Sequence, residues 1–325
     1  MSKLNRSLSF LWLLSALALP GLAQADAVRD WLNKIQKAVR MTNYQGTFVY
    51  REGDQMEVMR VTHRAGTDGV HEKLVSMNGW AREIIRDNDK VTCYLPDKKS
   101  IMAGHNMDIS ADKNFPSLLP AQTEKLKNVY AISVHKSERI AGRTTQMLTI
   151  VPRDAFRYGY RFWADNKTGL LLKSDLIDTD GKILEQFMFT AITIGGTIPD
   201  SELKPSYSGK GMVWQRADQT TLEVNTSDWA AADLPHGFEL TKHMVRALPG
   251  KPHPVTHLVF SDGLAAVSVF VEKEVPVNKK SERIATGMGG VHAYRTRLDD
   301  FQVTAVGEVP AITVSKIGDS VHRLH

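Results

Sequence analysis

Tight-turn pairs recur along this chain at short spacing, and they constrain its fold more than any other feature. Glu52-Gly53-Asp54, Thr67-Asp68-Gly69, Asn78-Gly79, Asp87-Asn88-Asp89 and Pro96-Asp97 punctuate a stretch whose hydrophobicity alternates at period two from Tyr44 onward. Strands joined by turns of two to four residues can only run antiparallel to their sequence neighbours, so the expected product is a meander. After Asp108–Asn128, where the alternation lapses around Pro116 and Pro120 and one or two short helices are expected, strands resume at 129–134, 144–151, 158–164, 170–177 and 183–194. The glycine- and proline-rich text from Gly195 to Gly211 reads as a linker. A shorter unit follows, with strands at 238–246, 257–260, 265–272, 291–298 and 301–308. Pro310 stands at the first position of a final short helix, against the strand propensity of Ile312, Thr313 and Val314. The fold class is mainly β with α: a long, curved antiparallel sheet followed by a small α+β unit.

One helix precedes the sheet. Val28, Trp31, Leu32, Ile35 and Val39 recur three or four apart among polar residues, with Asp26 as the expected N-cap and Asn43 just past the end. Ahead of it, Lys3 and Arg6, the apolar run Leu8–Leu19, Pro20 and Ala23-Gln24-Ala25 have the layout of a secretory signal cleaved after Ala25. The apolar run is shorter than the roughly 20 residues a membrane-spanning helix needs, and no cysteine stands at the cleavage point to carry lipid. The chain has 41 Lys and Arg against 36 Asp and Glu, a formal charge of +5. Two of those cations leave with the signal, and the scattered remainder gives no footprint for nucleic acid. The single cysteine, Cys93, rules out an intrachain disulfide and lies in the strand-like run Val91–Leu95, where a buried thiol is expected.

No catalytic or metal constellation emerges. His253 and His257 are four apart, but Pro252 and Pro254 break the helix that would align them, and His71-Glu72 lacks the second His of a zinc-protease motif. There is no Gly-x-Ser-x-Gly, and Gly287-Met288-Gly289-Gly290 lacks the residues of a phosphate loop and reads as a mobile loop. Asp178/Asp180 and Asp299-Asp300 fall in turns, where aspartate stabilises the turn. The reading is therefore non-enzymatic, with no cofactor. What remains is apolar surface: Val58, Met59 and Val61, Met77 and Trp80, and Phe187, Met188 and Phe189 put large groups on both faces of strands. One face can pack on helices while the other lines a groove, for which the candidates are Trp80, Trp163, Phe187 and Phe189; core positions are an equal alternative for each. In the small unit, Lys242 and Arg246 on one strand and Tyr294, Arg295 and Arg297 on another are candidate anchors for a protein partner.

Asn43-Tyr44-Gln45-Gly46-Thr47-Phe48-Val49-Tyr50 after the Trp31 helix, Pro152-Arg153-Asp154 through Arg157-Tyr158-Gly159-Tyr160, Thr168-Gly169-Leu170-Leu171-Leu172-Lys173-Ser174 and Glu185-Gln186-Phe187 resemble the large domain of the MucB/RseB family of periplasmic sigma-factor regulators. Leu234-Pro235-His236-Gly237-Phe238, Ser261-Asp262-Gly263-Leu264 and Val306-Gly307-Glu308-Val309-Pro310 resemble its small domain, in the same order. The resemblance implies an unclosed β-barrel like that of periplasmic lipoprotein carriers over 26–197, a linker over 198–213 and a small partner-binding domain over 214–325, after a signal over 1–25. It further implies a periplasmic negative regulator that binds the periplasmic segment of a single-pass anti-sigma factor, shields it from proteolysis, and is released by lipid or lipopolysaccharide. A lipid or lipoprotein carrier without that partner is the alternative, and a homo-oligomer stays open.

Overall fold

The computed structural model describes residues 20–105, 125–216, 221–223, 228–246, 253–273 and 284–324. A twelve-stranded sheet is built from β1 (Tyr44–Glu52), β2 (Gln55–Gly66), β3 (Gly69–Ser76), β4 (Glu83–Asp87), β5 (Lys90–Leu95), β6 (Ser100–His105), β7 (Tyr130–Ile140), β8 (Arg143–Pro152), β9 (Gly159–Asp165), β10 (Leu171–Ile177), β11 (Ile183–Ile194) and β12 (Val213–Arg216). Its order is β12-β6-β5-β4-β3-β2-β1-β11-β10-β9-β8-β7, so the sheet is open, with β12 and β7 at its edges. All pairings are antiparallel except β12 with β6. The turns behave as their residues dictate: Asp178 Oδ1 accepts from the amides of Asp180 and Lys182 at 2.9 and 2.8 Å, and Gly181 takes φ +84°. The expected helices of 108–124 lie outside the described residues; Leu126–Val129 forms a one-turn helix, α2.

The first helix, α1, runs from Pro20 to Met41, so Asp26 is not its N-cap. The residues before it, Leu22 to Ala25, are good helix formers and carry the helix back to Pro20, whose fixed φ suits a first turn. Asp26 pairs instead with Arg29, one turn on, at 2.9 Å. The stripe Val28, Leu32, Ile35 and Val39 is buried as expected. It lies on the inner face of the sheet, which curls far enough that β7 and β11 approach each other. Two apolar clusters result: Val28, Leu32 and Ile35 against Tyr130, Leu148, Ile150, Tyr160 and Phe162, and Ala38 against Tyr44, Phe48, Met59, Phe187 and Phe189. Cys93 is buried beside Ile84 and Val91 on the same face.

The expected linker is a strap. Asp200 pairs with Arg64, Lys73 Nζ donates to the Lys204 carbonyl and Ser206 Oγ at 2.7 and 2.9 Å, and the Ser206 amide donates to buried Glu83 at 2.7 Å. Tyr207 stacks on Tyr94, and Gly209 passes Ile101 so closely that a Cβ would meet its Cδ1 at 3.0 Å. Residues 213–216, which the sequence assigned to the end of the linker and the start of the small unit, close this run as β12 on the large sheet. The strap explains why β3 to β6 carry apolar groups on both faces: it covers the outer one.

The small unit holds β13 (Thr221–Glu223), β14 (Trp229–Ala231), β15 (Glu239–Arg246), β16 (Val255–Ser261), β17 (Ala266–Lys273), β18 (Ile284–Met288), β19 (Val291–Leu298), β20 (Phe301–Gly307), helix α3 (Ala311–Asp319) and β21 (Val321–Arg323). Seven strands form one sheet in the order β13-β15-β16-β17-β20-β19-β18, and β14 pairs with β21. The expected final helix forms, with Pro310 as its N-cap at ψ 145° rather than its first residue; Val314 and Ile317 seat it over Tyr294, Ala305 and Val303. Gly287 to Gly290 is no free loop. Gly287 and Met288 end β18, and Gly289, at φ +58°, turns the chain beside Glu52 of the large unit.

Candidate functional site at the domain joint

The two sheets meet at one end of the small unit, and the centre of contact is Arg157. Its side chain is wholly buried, in the loop between β8 and β9. One nitrogen bonds Asp262 in the β16–β17 turn, whose side chain is equally buried. Others bond Asp154 at 2.9 and 3.0 Å and the His236 carbonyl at 2.6 Å. The guanidinium lies over the rings of Tyr130 and Phe238, at 5.5 and 5.1 Å. Tyr130 donates to the same Asp262 oxygen at 3.0 Å, and the other oxygen takes the amides of Leu264 and Ala265 at 2.9 and 2.8 Å. Burial, then the neighbouring Asp262 charge, pushes the Tyr130 phenol up, so it remains a donor at physiological pH. Two buried charges are tolerated here because nearly every polar atom finds a partner.

Around this centre the contact continues. Thr313 in the first turn of α3 donates to the Phe156 carbonyl at 2.7 Å, and Lys125 pairs with Glu239 at 2.7 Å. Gly237, at φ +83°, lies against Val129; a Cβ there would come within 2.6 Å of its Cγ1. Beside the joint, a hollow of about 550 Å³ opens between Val151, Pro152, Asp154, Gly159, Ile177 and Thr179. Asp154, which orients Arg157, forms part of its wall.

The four groove candidates do not converge. Phe187 and Phe189 are packed edge-on, centroids 5.2 Å apart, in the core under α1. Trp163 projects from the other face of β9, where Lys173 Nζ lies 3.9 Å from its ring and Nε1 donates to Glu138 at 2.8 Å. Trp80 is 75% exposed in the β3–β4 loop. Phe187 and Phe189 thus hold core positions, the alternative open for each candidate, while Trp163 lies on the outer face and Trp80 in a loop. Among the partner candidates, Tyr294 is also core. It is buried beneath α3, close to Gly318, and its hydroxyl donates to Asp319 at 2.7 Å. Lys242, Arg246, Arg295 and Arg297 do come together on one face, opposite α3, as the strand registers show. His253 lies on a bend and His257 in β16, where it stacks on Phe270.

Arg157, Asp262, Tyr130 and the His236 carbonyl were not singled out by sequence. Arg157, Asp262 and His236 fall inside the motifs that carry the family resemblance, but nothing in a linear reading pairs residues 105 apart.

Comparison with known proteins agrees over nearly the full length. The family model for the MucB/RseB N-terminal domain matches residues 27–207 and that for the C-terminal domain residues 223–322. The chain is 33% identical over 320 residues to the sigma factor AlgU regulatory protein MucB of Pseudomonas aeruginosa, covering 97% of both, and 27% identical over 292 residues to the sigma-E factor regulatory protein RseB of Escherichia coli, covering 89% of both. Among solved structures, the complex of Pseudomonas aeruginosa MucA and MucB superposes with a TM-score of 0.73 at 30% identity, over 92% of this chain and 99% of that one. A crystal structure of MucB superposes with a TM-score of 0.64. With both halves matched in order, the chain belongs to the MucB/RseB family.

Proposed function

We propose that this protein is a non-enzymatic periplasmic negative regulator that holds the periplasmic segment of a membrane-spanning anti-sigma factor and shields it from proteolysis. Residues 1–25 are removed on export. The mature chain has a large domain from 26, a strap that ends on the large sheet as β12, and a small domain beyond it. Among the described residues, no helix is long and apolar enough to cross a membrane.

The observation that carries the reading is full-length membership of a family whose members are named sigma factor regulatory proteins, one of them solved in complex with MucA. The architecture supports it: two sheets locked at one buried joint present a composite surface, which a one-domain carrier would not need. The lipid arm of the reading belongs at the hollow beside Asp154 rather than under α1, where the inner face is filled. Burying five or six methylenes supplies ~4–5 kcal/mol before ordering costs. That is enough to shift a two-state equilibrium by about three decades if only one state offers the hollow.

The mature protein, used as bait on envelope extracts with and without lipopolysaccharide, tests the reading. It should recover a single-pass anti-sigma factor that the lipid displaces. Recovery of no such protein contradicts it, and recovery of lipid or lipoprotein alone favours a carrier.

A further inference from the structure

The small sheet has one face covered by α3 and one face that no described element covers. On that second face the registers place a straight row across all seven strands: Glu223, Met244, His257, Phe270, Thr304, Arg295 and Ile284. His257 stacks on Phe270, with centroids 4.3 Å apart and planes 21° from parallel. The flanking rows set Lys242 and Arg246 at the β15 side, next to the Glu223 position of β13, and Arg297 beside Arg295 at the β19 side, with Glu272 between the two ends. Lys242 and Arg295 are exposed and have no ion-pair partner among the described residues. His257 is only 8% exposed, yet neither ring nitrogen has a hydrogen-bond partner, and Arg246 Nε is buried in the same condition. Unspent polar groups at this depth are uncommon unless something else uses them.

We infer that this face is a docking surface for an extended, acidic segment of a protein partner, laid across the strands with an apolar or aromatic residue on Phe270 and carboxylates at the two cationic ends. The inference rests on the regulator reading above and gives the partner's segment its chemistry. Charge complementarity selects the occupant: Lys242, Arg246, Arg295 and Arg297 outnumber the acids the registers place on the face, Glu272, Glu223 and, paired with Lys125 at the end by the large unit, Glu239. Spacing constrains it further. From β15 to β19 is four inter-strand steps, about 19 Å, which an extended chain covers in about six residues. The segment therefore carries two acidic clusters about six residues apart, with an apolar residue between. Burial, then Arg246 and Lys242, holds the His257 imidazole down to about 4, so it meets the segment neutral and can donate to a carboxylate. Of the charged groups on the neighbouring strands, Glu272 of β17 and Glu223, opposite Met244 in the β13–β15 register, oppose those two cations.

The test uses the mature chain and the purified periplasmic segment of its cognate anti-sigma factor, with association followed by stopped flow from 50 to 300 mM salt. The double variant Lys242→Glu/Arg295→Glu should keep the melting temperature, since both side chains are exposed. It should slow association about tenfold or more at 50 mM salt and flatten the salt dependence. Wild type that captures the segment with the variant equally fast at low salt overturns this surface while leaving the regulator reading intact. Wild type that never captures the segment overturns both. Sedimentation with phosphatidylglycerol vesicles is the second arm: vesicle binding that the variant loses, with segment capture unchanged, would assign the face to a membrane and overturn the inference.

Discussion

Replacing Asp262 by Asn isolates the joint between the domains. Oδ1 of the new amide still accepts from Leu264 and Ala265, so the β16–β17 turn keeps its bonds, while the group facing Arg157 and Tyr130 changes from acceptor to donor. Arg157 is then left wholly buried with its charge uncompensated on that side. Breaking a buried pair in this way costs about 3–5 kcal/mol. If the domains melt as one body of about 300 residues, the unfolding entropy converts this to a fall of roughly 5–8 °C in Tm. The cost falls on the joint rather than on either core, so calorimetry should show the single transition broadening or splitting in two. Limited proteolysis should also cut faster in the 153–158 loop than it does in the parent. The variant Arg157→Met/Asp262→Asn removes both charges while Asn Oδ1 keeps the turn amides, and should recover part of the loss, because an apolar side chain then stands where the uncompensated cation stood. A single sharp transition within about 1 °C of the parent for Asp262→Asn would refute the claim that this pair holds the domains together.

Three further outcomes follow from particular residues. His257 is held near 4 in the folded state against 6.5 when unfolded, so the unfolded chain binds the extra proton between those values. Stability measured by urea unfolding should fall as pH drops from 6.5 to 4 and lose part of that slope in His257→Phe. Gly237→Ala meets both a left-handed φ and Val129 at 2.6 Å, and should cost about 1–3 kcal/mol in the same assay. Trp80→Ala should leave the melting temperature within about 1 °C, while Trp163→Ala, which loses a buried ring together with its Glu138 bond and Lys173 contact, should cost about 3–5 kcal/mol.

The strands were legible because period-two alternation and Asx-Gly turns are local signals, and the turn at Asp178–Gly181 folds as its residues demand. Which face of a strand looks inward was much less legible. In β9, Phe162 and Trp163 are both buried, one beneath α1 and the other under Lys173 and Glu138, so alternation offers no contrast to read. Tyr294 and Arg295 are adjacent and lie on opposite faces; the choice between them depends on α3, whose Ile312-Thr313-Val314 run has strand propensity. The strap was read as a linker for its glycines and prolines, although the contacts fixing it, Arg64 with Asp200 and Glu83 with Ser206, span more than a hundred residues. Arg157 and Asp262 were hidden for the same reason.

If the two domains act as one gripping body, joined through Arg157 and Asp262, loosening that joint must weaken the grip on the partner. Calorimetric titration of the anti-sigma periplasmic segment into parent and Asp262→Asn protein, below the melting point of either, tests it directly. The variant should bind about tenfold or more weakly than the parent, because part of the binding free energy must then restore the joint. Equal affinities, with calorimetry showing the variant's domains uncoupled, would contradict that expectation.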